Sequence, residues 1–100
     1  MTLLNPCKYG SITGTGSAIT VTIGFKPGVV FLHNETDEGT LWWTNTLADG
    51  YGYRSIGSSG IESLISSNGV TPFQEGFIFG ADSEMNDSSD EIHWIAWRTD

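Results

Sequence analysis

Apolar and polar residues alternate along most of this chain in short runs broken by glycine. The cleanest run is 17–23, where Ile19, Val21 and Ile23 alternate with Thr20 and Thr22. That period of two is the mark of a strand with one buried face. Residues 7–13 predict a first strand, closed by Gly14-Thr15-Gly16. Gly24-Phe25-Lys26-Pro27-Gly28 predicts a turn, and 29–34 a second apolar strand. Residues 35–39 read as an acidic loop, and 40–46 as a strand carrying Trp42 and Trp43. Asp49-Gly50 with Gly52, and 57–60, read as turns. The segment 61–66 has helical spacing at Ile61, Leu64 and Ile65, but it is short and lies between glycines, which favours an extended segment. After a loop at 69–76 come a short strand at 77–80, an acidic loop at 81–90 and a last strand at 91–98.

The pattern predicts an all-β fold, a small antiparallel β-sandwich of jelly-roll-like type with about seven to eight short strands. No linker or internal repeat divides the chain. Residues 1–13 form an N-terminal arm and first strand, and 14–100 the sandwich, in one domain. A chain of 100 residues buries roughly 65% of its unfolded surface, which allows one thin core.

The tryptophans change this picture. Successive strand residues point to opposite faces, so Trp42 and Trp43 cannot share one, and Trp94 and Trp97, three apart, cannot either. In the last strand Ile92, Trp94 and Ala96 line one face, and His93, Ile95 and Trp97 the other. Residues 29–32 are apolar on both faces. A two-layer sandwich usually wets the outer face of each sheet. Large apolar side chains there call for cover by a neighbouring subunit, a partner, a sugar or a loop of the same chain. The candidate contact residues are Trp42, Trp43, Tyr51, Tyr53, Trp94 and Trp97.

Composition narrows the function. The chain is 38% hydrophobic, 12% aromatic and 16% charged with 13 glycines, too apolar for disorder. The net charge is −8 and the pI about 4.3. Lys8, Lys26, Arg54 and Arg98 are scattered, so no nucleic-acid footprint is expected, and an acidic surface suits a cation or a basic partner. The lone Cys7 excludes an intrachain disulfide and reads as a small half-buried hydrophobe in a reducing cytoplasm. No apolar run is long enough to cross a membrane as a helix, and 1–8 lack the pattern of a signal peptide.

Candidate chemistry is sparse. His33 and His93 fall in strands, no serine sits in a recognised nucleophile motif, and Gly14-Thr15-Gly16 lacks the residues of a phosphate loop. Twelve acidic residues make some close carboxylate pair inevitable, which empties a glycosidase argument. No enzyme activity is expected. The one candidate ion site is Asp82, Glu84, Asn86 and Asp87, oxygen side chains two apart that suit calcium but lack the EF-hand glycine and terminal glutamate.

One further pattern has a parallel. Gly24-Phe25-Lys26-Pro27, then Val29-Val30-Phe31-Leu32, Gly76-Phe77-Ile78-Phe79-Gly80, Asn86 and Ile95-Ala96-Trp97, in that order, resemble a module of tailed-bacteriophage structural proteins. The resemblance covers about residues 14–98. The D-x-x-R-G element of that module is not matched: Asp49 and Arg54 are present at another spacing. The resemblance implies a non-enzymatic virion β-sandwich made in the bacterial host cytoplasm. For a free-standing acidic domain with its own Met1, it implies a capsid decoration protein that binds capsid subunits and oligomerises, a trimer being the expected number. The alternative is a tail-fibre module that binds a receptor or carbohydrate.

Overall fold

The computed structural model describes residues 6–99. All regular structure among them is β. Nine strands run in chain order: β1 (Cys7–Thr13), β2 (Ile19–Thr22), β3 (Val29–Asn34), β4 (Thr40–Thr44), β5 (Gly52–Ser55), β6 (Glu62–Ile65), β7 (Val70–Phe73), β8 (Gly76–Phe79) and β9 (Glu91–Trp97). They form a six-stranded sheet in the order β1-β9-β3-β4-β5-β6 and a three-stranded sheet in the order β2-β8-β7, with every pairing antiparallel. The small β-sandwich expected from the sequence is present, with unequal layers. Most of the N-terminal arm, 1–5, lies outside the described residues.

Nine strands slightly exceed an expected count of about seven to eight, and two of them fall where a loop and a turn were expected. Residues 69–76 were expected to be a loop, yet they contain β7, with Pro72 in it. β7 pairs only with β8, and such an edge strand tolerates a residue that cannot donate to a ladder. The expected turn at Gly52 is instead the start of β5. A Cβ at Gly52 would meet the Leu41 side chain at 3.0 Å, so the glycine allows strand packing here rather than a bend. The ambiguous 61–66 segment is extended, as β6.

The core lies between the sheets. Val30, Leu32, Leu41, Trp43, Ile92 and Ala96 point inward from the large sheet, and Val21, Val70, Phe77 and Phe79 meet them from the small one. Alternation explains the split: β3 reads buried at Val30, Leu32 and Asn34 and open at Phe31 and His33. Burying such side chains is the main driving force of the fold, about 1.5–3 kcal/mol for each large one. Trp94 also faces inward, its ring edge-on to Phe77 at 5.7 Å. It has room because Gly10 is its cross-strand partner, where a Cβ would lie 3.0 Å from the indole.

The connection from β8 to β9, residues 80–90, is held by polar groups. Asn86 is fully buried, donates from Nδ2 to the carbonyls of Ser17 and Gly80 at 2.8 and 2.9 Å, and accepts from the Thr15 amide at 3.0 Å. Asn34 donates to the Met85 carbonyl and to Asp90 Oδ2, and Met85 is itself fully buried. A long connection thereby becomes an ordered cap on one end of the sandwich.

Candidate interaction face

The face of the six-stranded sheet turned away from the small sheet carries the candidate site. In antiparallel ladders, directly paired residues share a face. The register pairs Tyr9 with Ile95, Ile95 with Phe31, Phe31 with Trp42, Trp42 with Tyr53 and Tyr53 with Leu64. One unbroken apolar and aromatic row therefore crosses all six strands. Tyr9 is 81% exposed, Leu64 54% and Phe31 49%, while Ile95, Trp42 and Tyr53 are half-buried against their neighbours. Between Tyr9, Phe31, Trp42, His33, His93 and Ile95 the surface dips into an open groove of about 530 Å³.

The rings support one another. Phe31 lies 6.4 Å from Trp42 and 6.3 Å from Trp97, and Trp42 lies 5.2 Å from Tyr53. Their planes meet at 32°, 86° and 59°, the tilted and edge-to-face arrangements that aromatic quadrupoles favour. None of these three contacting pairs is coplanar. The result is a corrugated apolar surface rather than a flat stacking platform.

The rows on either side differ in character. Toward the start of β1 the outward residues are Cys7, Trp97, Val29 and Thr44. On the other side the row is Ser11, His93, His33, Thr40, Ser55 and Glu62, with Glu91 one step beyond. Glu35 Oε1 lies 2.7 Å from His93 Nε2, both groups being well exposed. Tyr53 donates to Glu62 Oε1 at 3.0 Å. That hydrogen bond, and then the nearby negative charge, raise the Tyr53 phenol above its ordinary pKa. Ser11, His93 and Glu35 have the residue content of a hydrolytic triad. His93 uses Nε2 for Glu35, and no hydrogen bond joins Ser11 to it among the described residues.

Of the contact residues expected from the sequence, Trp42, Tyr53 and Trp97 lie on this face. Trp43 and Trp94 do not. Trp43 is 1% exposed in the core, donating from Nε1 to the Ala48 carbonyl at 3.2 Å, and Trp94 lies over Gly10. Tyr51 is half-buried just before β5, where its carbonyl accepts from the Val70 amide. Phe31, Tyr9 and Leu64 were missed, although the two-sided apolar character of 29–32 was a signal for Phe31. Cys7, expected half-buried, is exposed on the edge strand β1.

The candidate calcium ligands are drawn apart. Asp82 Oδ1 pairs with Arg54 Nη1 at 2.7 Å, and its Oδ2 accepts from the Glu84 amide. Asn86 is committed to the backbone groups described above. Asp87 instead comes together with Asp37 and Asp90, one carboxylate oxygen of each lying within 4.8 Å of the others. The Asp37 carboxyl is held above its ordinary pKa by hydrogen bonding to Asp90, then by desolvation and the surrounding negative charge.

Among the described residues no helix is long and apolar enough to cross a membrane. No protein-family model, no curated protein and no solved structure matches this chain. Several of the residues on which the sequence resemblance rests do structural work. Phe25 and Phe77 are core residues, Gly24 adopts φ +91°, Asn86 anchors the cap, and Ala96 packs inside. Phe31, Ile95 and Trp97, which belong to the same motifs, lie on the outer face instead.

Proposed function

We propose that this domain is a non-enzymatic structural protein of a bacteriophage virion, a capsid decoration protein that docks through the outer face of its six-stranded sheet. The observation that carries the reading is the row from Tyr9 to Leu64, six apolar or aromatic residues in continuous cross-strand register on a face that the described residues leave open. A surface of that kind favours burial against another macromolecule, and Trp and Tyr are frequent anchors of such contacts. The order of short motifs along 24–97 supports the virion setting. In this reading copies of the chain also associate, with a trimer as the expected number. The edge strands β1 and β6 offer backbone groups for that pairing.

The test is co-sedimentation of the purified protein with capsids assembled from the major capsid protein encoded in the same genome. Saturable binding without added cofactor, lost in the Phe31→Ser and Trp42→Gln variants, is the expected result. Failure to bind, or binding indifferent to both substitutions, would overturn the reading.

The tail-fibre alternative draws on the groove between Tyr9 and Trp42. Ring tilts of 32–86° disfavour a flat sugar chain. Glycan-array binding that disappears with Trp42→Ala would restore that alternative.

A further inference from the structure

Resting on the docking reading above, we propose that the outer face receives a protein partner whose apolar contact surface is bordered on one side by lysine or arginine, and not a second copy of this chain. The argument is the distribution of charge around the apolar row. Carboxylate and imidazole side chains that point outward from the six strands lie on one side only: His33, His93, Glu62 and Glu91, with Glu35 just past β3. Neither basic residue of these strands joins them. Lys8 sits at an inward register position opposite Ala96, and Arg54 points inward to Asp82. The other side of the row is Cys7, Trp97, Val29 and Thr44, with the exposed Lys26 and Arg98 in the segments just beyond Val29 and Trp97. The face thus has a direction along the strands, from an acidic end through the apolar row to a row without carboxylates.

That direction sets the partner's chemistry. Rows on one face are two residues apart, so Glu62 stands about 7 Å and Glu35 and Glu91 about 14 Å from the apolar row along the strands. Basic groups at matching offsets from an apolar centre satisfy the glutamates while the aromatic row is buried. Complementary rims of this kind steer encounter and set orientation.

A second copy fits poorly face to face. With a two-fold axis along the strands, Glu35 and Glu91 lie over the same residues of the other copy. With the axis across the strands through the apolar row, His33 and His93 lie over Val29 and Trp97, where an imidazole loses water and gains no partner, and Glu35 and Glu91 project past the strand ends. Each copy also brings a net charge of −8, which adds general repulsion.

The experiment titrates the intact protein with two synthetic amphipathic helices that share a leucine face and carry either lysine or glutamine on one flank, read by tryptophan fluorescence. The lysine helix is expected to bind about tenfold more tightly. Added salt should remove that advantage, and Glu35→Gln/Glu91→Gln, which leaves Glu62 in place, should shrink it by about threefold or more. Asp49→Asn/Glu75→Gln, which removes equal charge away from this face, should preserve it. Phe31→Ser, checked with Trp42→Gln as a second variant, should abolish binding of both helices. Equal binding of the two helices that still needs Phe31 overturns the basic border and leaves the docking face standing. Binding indifferent to Phe31→Ser and Trp42→Gln sinks the docking face itself. Self-association in sedimentation that disappears with Phe31→Ser assigns the face to a second copy and overturns the proposal.

Discussion

Arg54 and Asp82 meet at 2.7 Å with side chains only 18% and 9% exposed, so an ion pair ties β5 to the β8–β9 connection inside the cap of the sandwich. Removing one member leaves the other charged and largely out of water. Arg54→Ala is expected to destabilise the domain by about 3 kcal/mol in urea unfolding. Arg54 Nε is buried without a hydrogen-bond partner, so the pair is imperfectly satisfied. The double variant Arg54→Met/Asp82→Asn should therefore cost less than Arg54→Ala alone. A larger loss in the double variant would show that the pair, rather than the stranded charge, carries the stability.

Asn86 serves two carbonyls and one amide, and only an amide side chain both donates twice and accepts. Asn86→Ala leaves these buried groups unpaired and should cost about 2–4 kcal/mol. Asn86→Asp should cost at least as much at neutral pH, because a carboxylate cannot donate to the Ser17 and Gly80 carbonyls. Part of that loss should return in acid, where the protonated acid donates once. A neutral-pH melting point unchanged by Asn86→Asp would remove this account.

Trp42 and Trp43 offer a direct contrast between adjacent residues. Trp43→Ala empties a core site and should cost about 3–5 kcal/mol. Trp42→Ala removes a half-buried outer side chain and should cost no more than about 1.5 kcal/mol. Equilibrium unfolding of the two variants measures both. Comparable losses would mean that the outer face matters as much to the fold as the core does.

Asp37 gives a pH dependence with a definite sign. Its carboxyl has a raised pKa in the folded state, so its contribution is fully present below its ordinary value of 3.8 and is lost as pH rises through the folded value. At neutral pH the charged form therefore works against folding. Asp37→Asn is expected to raise the melting temperature at pH 7. The gain should shrink as pH falls toward the ordinary carboxylate range. Thermal melts at several pH values test this, and a variant less stable than the parent at pH 7 would contradict it.

Much of the strand pattern was legible in the sequence because alternation is local. Ile19-Thr20-Val21-Thr22 and the run from Val29 to Asn34 became β2 and β3, each with one buried face. Pro72 and Gly52 concealed β7 and β5, since both residues usually punctuate chains. Pro72 was accommodated by an edge position, and Gly52 by the closeness of Leu41. The candidate ion site was the least legible part. Spacing alone could not show that Arg54 would claim Asp82, or that backbone groups from residues 15, 17 and 80 would claim Asn86.

By itself, the sequence determined that Trp42 and Trp43 must part, that Trp94 and Trp97 must part, and that one member of each pair must leave the core. Backbone geometry requires this wherever the segments are extended. Which member goes inside was decided by the sheet, through the packing of Trp43 into the core and of Trp94 over Gly10. The continuous row from Tyr9 to Leu64 also belongs to the tertiary structure alone. It exists because β9, from the far end of the chain, enters between β1 and β3 and brings Ile95 into register with both Tyr9 and Phe31. Local alternation settles which side of its own strand a residue takes, whereas alignment across strands depends on contacts between residues far apart in sequence.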